Sequence, residues 1–143
     1  MQVKQISVFL ENKVGRLAEV TKILGEAKIN IRALTISETS DFGVLRMIVD
    51  RVEEAYRILK ENSFTVSETK VVALEIPDKP GGLAQVMNIL AEANINVEYL
   101  YAFLEKPSNK AILIVRFENP QEAIKNLQKN NINLLPGEKI YSL

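Results

Sequence analysis

The chain of 143 residues contains neither cysteine nor histidine. Their absence removes thiolate nucleophiles, imidazole bases, Ser-His-Asp relays and nearly every zinc site. Carboxylates alone can hold Mg²⁺ or Ca²⁺, but no calcium-loop or phosphate-loop spacing occurs. No acidic pair stands in a recognisable acid–base arrangement, since helix starts and exposed faces account for Glu53, Glu54 and Glu122. No catalytic residue, metal ligand or cofactor is therefore expected, and the chain does not read as an enzyme. A one-signed field is missing too: 18 basic and 18 acidic residues cancel, which argues against nucleic acid as a partner. The longest apolar run, Ala111 to Val115, falls far short of a membrane span. Nothing ahead of the strand-like Val3–Leu10 reads as a cleavable leader. A soluble cytoplasmic protein is the expectation, with no membrane partner. What remains is globular material, 47% apolar and 25% charged.

The chain says one thing twice. Asn12-Lys13-Val14-Gly15-Arg16-Leu17-Ala18 returns 66 residues later as Asp78-Lys79-Pro80-Gly81-Gly82-Leu83-Ala84. Ile29-Asn30-Ile31 returns as Ile95-Asn96-Val97 at the same offset, and Val20, Ile23, Leu24, Glu26 and Ala27 meet Val86, Ile89, Leu90, Glu92 and Ala93. Beyond a turn around Pro107-Ser108-Asn109 the offset is 68, so that Glu54-Ala55 and Leu59 meet Glu122-Ala123 and Leu127. Apolar periodicity alone repeats cheaply, whereas glycine and asparagine at fixed distances from it do not. The repeat divides the chain into modules at 1–68 and 69–143. Each is small for an independent core.

Within the first copy, Ile6, Val8 and Leu10 alternate as one face of a strand, and Leu17, Val20, Ile23, Leu24 and Ala27 make a helical stripe. Ile29–Ser37 reads as a second strand, Ser40–Gly43 as a hairpin connection and Val44–Val49 as a third strand. Asp50 with Glu53 resembles a capping box before a helix bearing Ala55, Ile58 and Leu59; Phe64–Val66 begins a fourth strand. The second copy repeats the order, with Asn119-Pro120 and Glu122 as its own helix start. Each copy is thus β-α-β-β-α-β, an α+β ferredoxin-like order with two helices over one antiparallel sheet. Only Ser67–Lys70, a stretch without linker composition, separates the copies, which predicts a rigid pair. The tail Pro136–Leu143 lies outside the repeat.

Two segments per copy can carry chemistry. Gly15 and Gly81-Gly82 open a helix, where unpaired N–H groups and the positive dipole end favour a carboxylate or phosphate; they also suit a tight turn with no ligand at all. Asn30 and Asn96 follow the helix and begin the second strand. Their amides suit a ligand bearing both carboxylate and ammonium, but asparagine is also a usual left-handed residue after a helix. Tyr99, Tyr101 and Phe103 share a strand face that serves packing or forms an aromatic wall. Arg16 and Arg32 are isolated cations that read as solvated surface.

These residues resemble the ACT domain, a small amino-acid-sensing regulatory module, over nearly the whole chain from about Lys4 to Leu134. The resemblance is to tandem ACT proteins in which no enzyme is fused. It implies modules packed side by side, their antiparallel sheets joined and helices on one face. It also implies an effector amino acid at the seam, between one module's glycine loop and the start of a neighbouring second strand. Carried over by position, it nominates Asn12, Gly15, Arg16 and Leu17 with Asn30 and Ile31. In the second copy it nominates Asp78, Gly81, Gly82 and Leu83 with Asn96 and Val97. The loop backbone would hold the carboxylate, and Asn12 or Asp78 with the Asn30 and Asn96 amides the ammonium.

The chain departs from the family pattern in places. Val14 replaces the usual proline before the glycine, and Leu10 and Ile76 stand where serine-binding members carry histidine. A large apolar or aromatic ligand is thus favoured slightly over serine. Asn12 and Asp78 differ in charge, so the two sites should not be equivalent. The expected function is a non-catalytic regulatory protein that senses a free L-amino acid, with a metabolic enzyme as candidate partner and a homodimer covering open sheet edges. The alternatives are a ligand-free scaffold, or a regulatory subunit like the small subunit of acetolactate synthase, whose second half is not a second ACT copy.

Overall fold

The element order is β1 (Val3–Glu11), α1 (Arg16–Glu26), β2 (Ile31–Glu38), β3 (Phe42–Val49), α2 (Val52–Glu61), β4 (Thr65–Pro77), α3 (Gly82–Glu92), β5 (Val97–Glu105), β6 (Lys110–Phe117), α4 (Pro120–Lys129), β7 (Asn133–Leu135) and α5 (Gly137–Tyr141). The computed structural model describes residues 2–105 and 108–143; Pro107, expected in the enlarged turn, lies outside them. The elements form β-α-β-β-α-β twice, the α+β fold expected for tandem ferredoxin-like modules. None of the described helices is long and apolar enough to cross a membrane.

The chain groups into two compact units. One comprises Lys4–Thr69 together with Ile140–Leu143, and the other is built on Lys70–Lys139. In the first unit the strand order is β2-β3-β1, with β4 beside β1. Antiparallel registers set Ile6 opposite Met47, Val8 opposite Leu45 and Leu10 opposite Gly43. Ile6, Val8, Leu10, Leu45, Met47 and Val49 therefore share a face, and Val20 and Leu24 of α1 with Val52, Ala55 and Leu59 of α2 cover it. All are essentially inaccessible to water, and each such aliphatic side chain contributes about 1.5–3 kcal/mol by leaving it. In the second unit the order is β5-β6-β4, and β7 also pairs with β4. There Val72, Leu74, Leu113 and Val115 meet Val86, Leu90, Ala123 and Leu127.

Ser67–Lys70 is not a connection but the middle of β4, an unbroken strand from Thr65 to Pro77. The physical reason lies in its composition: it holds no glycine, and its β-branched Thr65, Val66, Thr69, Val71 and Val72 favour extended backbone throughout. Proline comes only at its last position.

The four longer helices end alike. Lys28, Ser63, Asn94 and Asn131 adopt positive φ, and the next residue's N–H reaches back to a helix carbonyl. Ile29 donates to Leu24 at 2.9 Å, Phe64 to Leu59 at 3.1 Å, Ile95 to Leu90 at 2.9 Å and Ile132 to Leu127 at 3.0 Å. This closing motif needs the left-handed residue directly before that donor. Of the two readings of Asn30 and Asn96, the left-handed turn residue is thereby excluded: Lys28 and Asn94 hold that place, two positions earlier. The start of α2 also differs from expectation. Its N-cap is Arg51 without a side-chain cap, because the Asp50 carboxylate instead accepts the Asn30 N–H at 2.9 Å. At α4 the expected cap forms: Asn119 accepts the Glu122 N–H at 3.3 Å, and Pro120 occupies the first turn.

The tail ends on the first unit. Ile140 is fully buried, and the Tyr141 hydroxyl accepts the Lys4 backbone N–H at 2.7 Å. Arg32 donates through Nε to the Tyr141 carbonyl at 2.8 Å. Arg32 is thus neither isolated nor simply solvated.

Candidate functional site

The β1-to-α1 turn owes its shape to Gly15, whose φ of +91° lies where a side chain is strained. A Cβ built there meets no atom within 4 Å, so the backbone above it is open. The first intrahelical bond runs from the Glu19 N–H to the Gly15 carbonyl at 2.9 Å. The N–H groups of Leu17 and Ala18, in the first turn, have no intrahelical acceptor. Leu17, the first residue of the apolar helical stripe, is 40% exposed and stands beside a cavity.

That cavity measures about 380 Å³ and lies wholly within the first unit. Leu10, Leu17 and Ile36 give it apolar walls; Glu11, Asn12, Lys13, Arg16 and Glu38 give it a charged and polar rim. Gly43 forms part of the lining, and a Cβ there would lie 3.4 Å from Ile36 Cδ1. The rim is braced from below. The Asn12 N–H donates to the Asp41 carbonyl at 2.9 Å, and its side-chain amide donates to the Thr39 carbonyl at 3.4 Å. Lys13 Nζ lies 3.1 Å from Glu11 Oε2.

Arg16 is not the isolated, solvated cation that the sequence suggests. Its Nη1 donates to Glu19 at 2.8 Å, its Nε lies 4.0 Å from Glu11 Oε1, and the guanidinium sits 4.7 Å from the centroid of the Phe64 ring. Helical spacing places Glu19 one turn on, and the ring offers a cation–π face. Among the rim charges one stands apart. The Glu38 carboxylate makes no hydrogen bond or ion pair with any described residue.

The second copy reproduces the turn but not the rim. Gly81 has φ of +86° and open space beside it, like Gly15. Asp78 N–H donates to the Asn109 carbonyl at 2.9 Å, matching Asn12 and Asp41. Leu83 is 40% exposed, like Leu17. Yet at the offsets of the repeat Glu11 becomes Pro77, Arg16 becomes Gly82, Ile36 becomes Ala102 and Glu38 becomes Leu104. Gly82 has a packing reason of its own: a Cβ there would lie 2.3 Å from the Pro77 carbonyl oxygen.

The structure does not bring Asn30 and Ile31 to the Gly15 cavity. Ile31 pairs with Val49 at one end of β2, while Glu38 pairs with Gly43 at the other, about 20–25 Å away along the strand. Nor does it bring Asn96 and Val97 to Gly81: Val97 pairs with Phe117, and Asn96 lines a separate hollow with Asn94, Glu118, Asn119 and Glu122. Tyr99, Tyr101 and Phe103 pair with Arg116, Ile114 and Ile112. They therefore lie on the sheet face opposite to Leu113 and Val115, away from α3 and α4. Among the described residues no group of three or more acidic side chains is placed to hold a metal ion.

Ile36, Glu38 and Gly43 are cavity residues that the sequence reading did not single out. A signal was present: Glu38 follows Leu34 and Ile36 in alternation, a carboxylate on the strand face that otherwise carries apolar side chains.

Comparison with known proteins agrees with this architecture. A protein of Bacteroides thetaiotaomicron, solved by crystallography, is 42% identical over 100% of this chain and 98% of its own, with a TM-score of 0.95. The ligand-free regulatory subunit of aspartate kinase from Thermus thermophilus shares the fold at 16% identity, with a TM-score of 0.62 over 88% of this chain and 91% of that one. Aspartate kinase from Synechocystis shares it at 17% identity and a TM-score of 0.60, over 98% of this chain but 26% of its own. No curated protein matches. The family model described as an ACT domain pair matches residues 1–143, and with the duplicated fold and twin glycine turns already in view, the chain belongs to the ACT domain family as such a pair.

Proposed function

We propose that the protein is a non-catalytic regulatory ACT pair that binds a free L-amino acid at the cavity beside Gly15. The observation that carries this reading is the cavity itself. Apolar walls, a rim with both signs of charge and an open helix start meet within one unit. An α-amino acid has the same three parts: an anion, a cation and a side chain. Gly15 and Leu17 would offer backbone to the carboxylate, and Asn12 and Arg16 would shape the rim. The second-copy residues Asp78, Gly81, Gly82, Leu83, Asn96 and Val97, with Asn30 and Ile31, remain nominated by family position. Loss of the charged rim around Gly81 supports one strong site per chain rather than two.

Such a ligand has few heavy atoms, and at about −0.3 to −1.5 kcal/mol per atom a micromolar to millimolar constant follows. That range suits the sensing of metabolite pools by a protein that reports to an enzyme of amino-acid metabolism. The edge strand β2 exposes Leu34 and Ile36, each about half accessible, which supports a homodimer that covers them. Sedimentation as a monomer at all concentrations would refute the dimer.

The test of function is a thermal-shift screen of the twenty free L-amino acids, with calorimetry on any hit. Saturation at 100 times the dissociation constant adds about 2.7 kcal/mol. A shift confined to one or a few L-amino acids supports the reading, and flat curves throughout overturn it.

A further inference from the structure

Among the described residues, Glu38 is the charged side chain around the Gly15 cavity that makes no hydrogen bond or ion pair. Lys13 lies against Glu11, Arg16 is held by Glu19 with Glu11 nearby, and Asn12 is spent partly on Thr39. Glu38 alone lines the cavity without a hydrogen bond or ion pair from a described residue. It ends β2 on the face that carries Ile36, whose side chain packs against Gly43. The cavity thus sets an unpaired carboxylate beside an aliphatic wall of Leu10, Leu17 and Ile36.

We propose that Glu38 is the ammonium-binding residue of this cavity, and that with the wall of Leu10, Leu17 and Ile36 it selects α-amino acids with aliphatic side chains. The inference rests on the amino-acid reading given above. A carboxylate paired with a ligand ammonium forms a charge-assisted hydrogen bond, and one left unpaired beside a bound acid lacking that ammonium repels or wastes it. Apolar walls reward each methylene that leaves water and offer nothing to a charged side chain. The corresponding residue of the second copy is Leu104, 58% exposed, so the device belongs to the first copy.

The test compares L-leucine, L-isoleucine and L-valine with L-aspartate, L-lysine and the des-amino acid 4-methylpentanoate, by titration calorimetry on the full chain. The wild type is expected to bind at least one of the aliphatic amino acids about tenfold or more tightly than 4-methylpentanoate, and more tightly than L-aspartate or L-lysine. Glu38→Gln is expected to weaken that amino acid about tenfold or more and to leave 4-methylpentanoate unchanged or improved. Its thermal midpoint without ligand should match the wild type, because the carboxylate replaced is exposed and has no partner among the described residues. Ile36→Ala should weaken the aliphatic ligand and spare glycine.

The outcomes separate. If the wild type binds none of the twenty amino acids, the amino-acid reading falls and this assignment with it. If it binds an aliphatic one and Glu38→Gln binds that ligand equally well, the assignment alone is overturned. Tight binding confined to charged amino acids would overturn the selectivity and leave the sensor reading intact.

Discussion

Two glycines of α1 should respond to the same substitution with opposite sign. Gly15, the N-cap, sits at φ of +91°, and Gly25, near the other end of the helix, has ordinary helical backbone. A Cβ added at either position meets nothing within 4 Å. Packing therefore cancels from the comparison, and only backbone conformation remains. Gly15→Ala forces a side chain into the left-handed region, at a cost of about 1–2 kcal/mol. Gly25→Ala removes conformational freedom from the unfolded chain and should stabilise by about 0.5–1 kcal/mol. The difference between the two variants is then about 1.5–3 kcal/mol, which urea unfolding resolves as midpoints displaced to either side of the wild type with an unchanged slope. In thermal terms it corresponds to roughly 5–12 °C for a chain of this size. A neutral or stabilising Gly15→Ala would refute the turn geometry on which the cavity rests. A destabilising Gly25→Ala would refute the open space beside that residue.

Asn119→Ala should cost about 1 kcal/mol by urea unfolding, because the side chain caps the Glu122 N–H. Tyr141→Phe removes the acceptor for the Lys4 N–H and should lower stability by about 1–3 kcal/mol; an unchanged midpoint would show that the tail is not held there. Leu24→Ala, which empties a fully buried site in the first core, should cost about 2–5 kcal/mol. On the acid side, the hydrogen bond from Lys110 holds the Glu75 carboxyl below its usual range, as the one from Lys4 does for Glu53. A carboxyl depressed in the folded state contributes stability that is present above the unfolded value of 4.5 and fades as pH falls through the folded one. Unfolding free energy followed downward from pH 6 should therefore decline, and Glu75→Gln should make the decline shallower; equal slopes would refute the pairing.

Much of this was legible because local chemistry and global fold agree here. The helix faces, the alternating strands and the Asn119 cap follow from side-chain periods and capping preferences that act over one or two turns. The twin glycines required a special backbone, and both adopt it. What misled was also local. Asparagine after a helix is a fair left-handed candidate, but the hydrogen bond that closes the helix chooses the residue just before the returning N–H, and that residue is Lys28 or Asn94. Asp50 looked like a cap, yet a backbone donor 20 residues away claimed its carboxylate.

The sequence alone determined the duplication, the element order, the apolar faces and the exclusion of imidazole and thiolate chemistry, because each depends on residue identity and short spacing. Only the tertiary structure decided which charges are taken. Register set Glu38 and Gly43 side by side at the far end of β2 from Asn30. Folding turned Arg16 toward Glu19 and Phe64, and it brought Tyr141 back to Lys4, 137 residues away in the chain. Such pairings depend on where strands and helices meet in space, which no short-range pattern encodes.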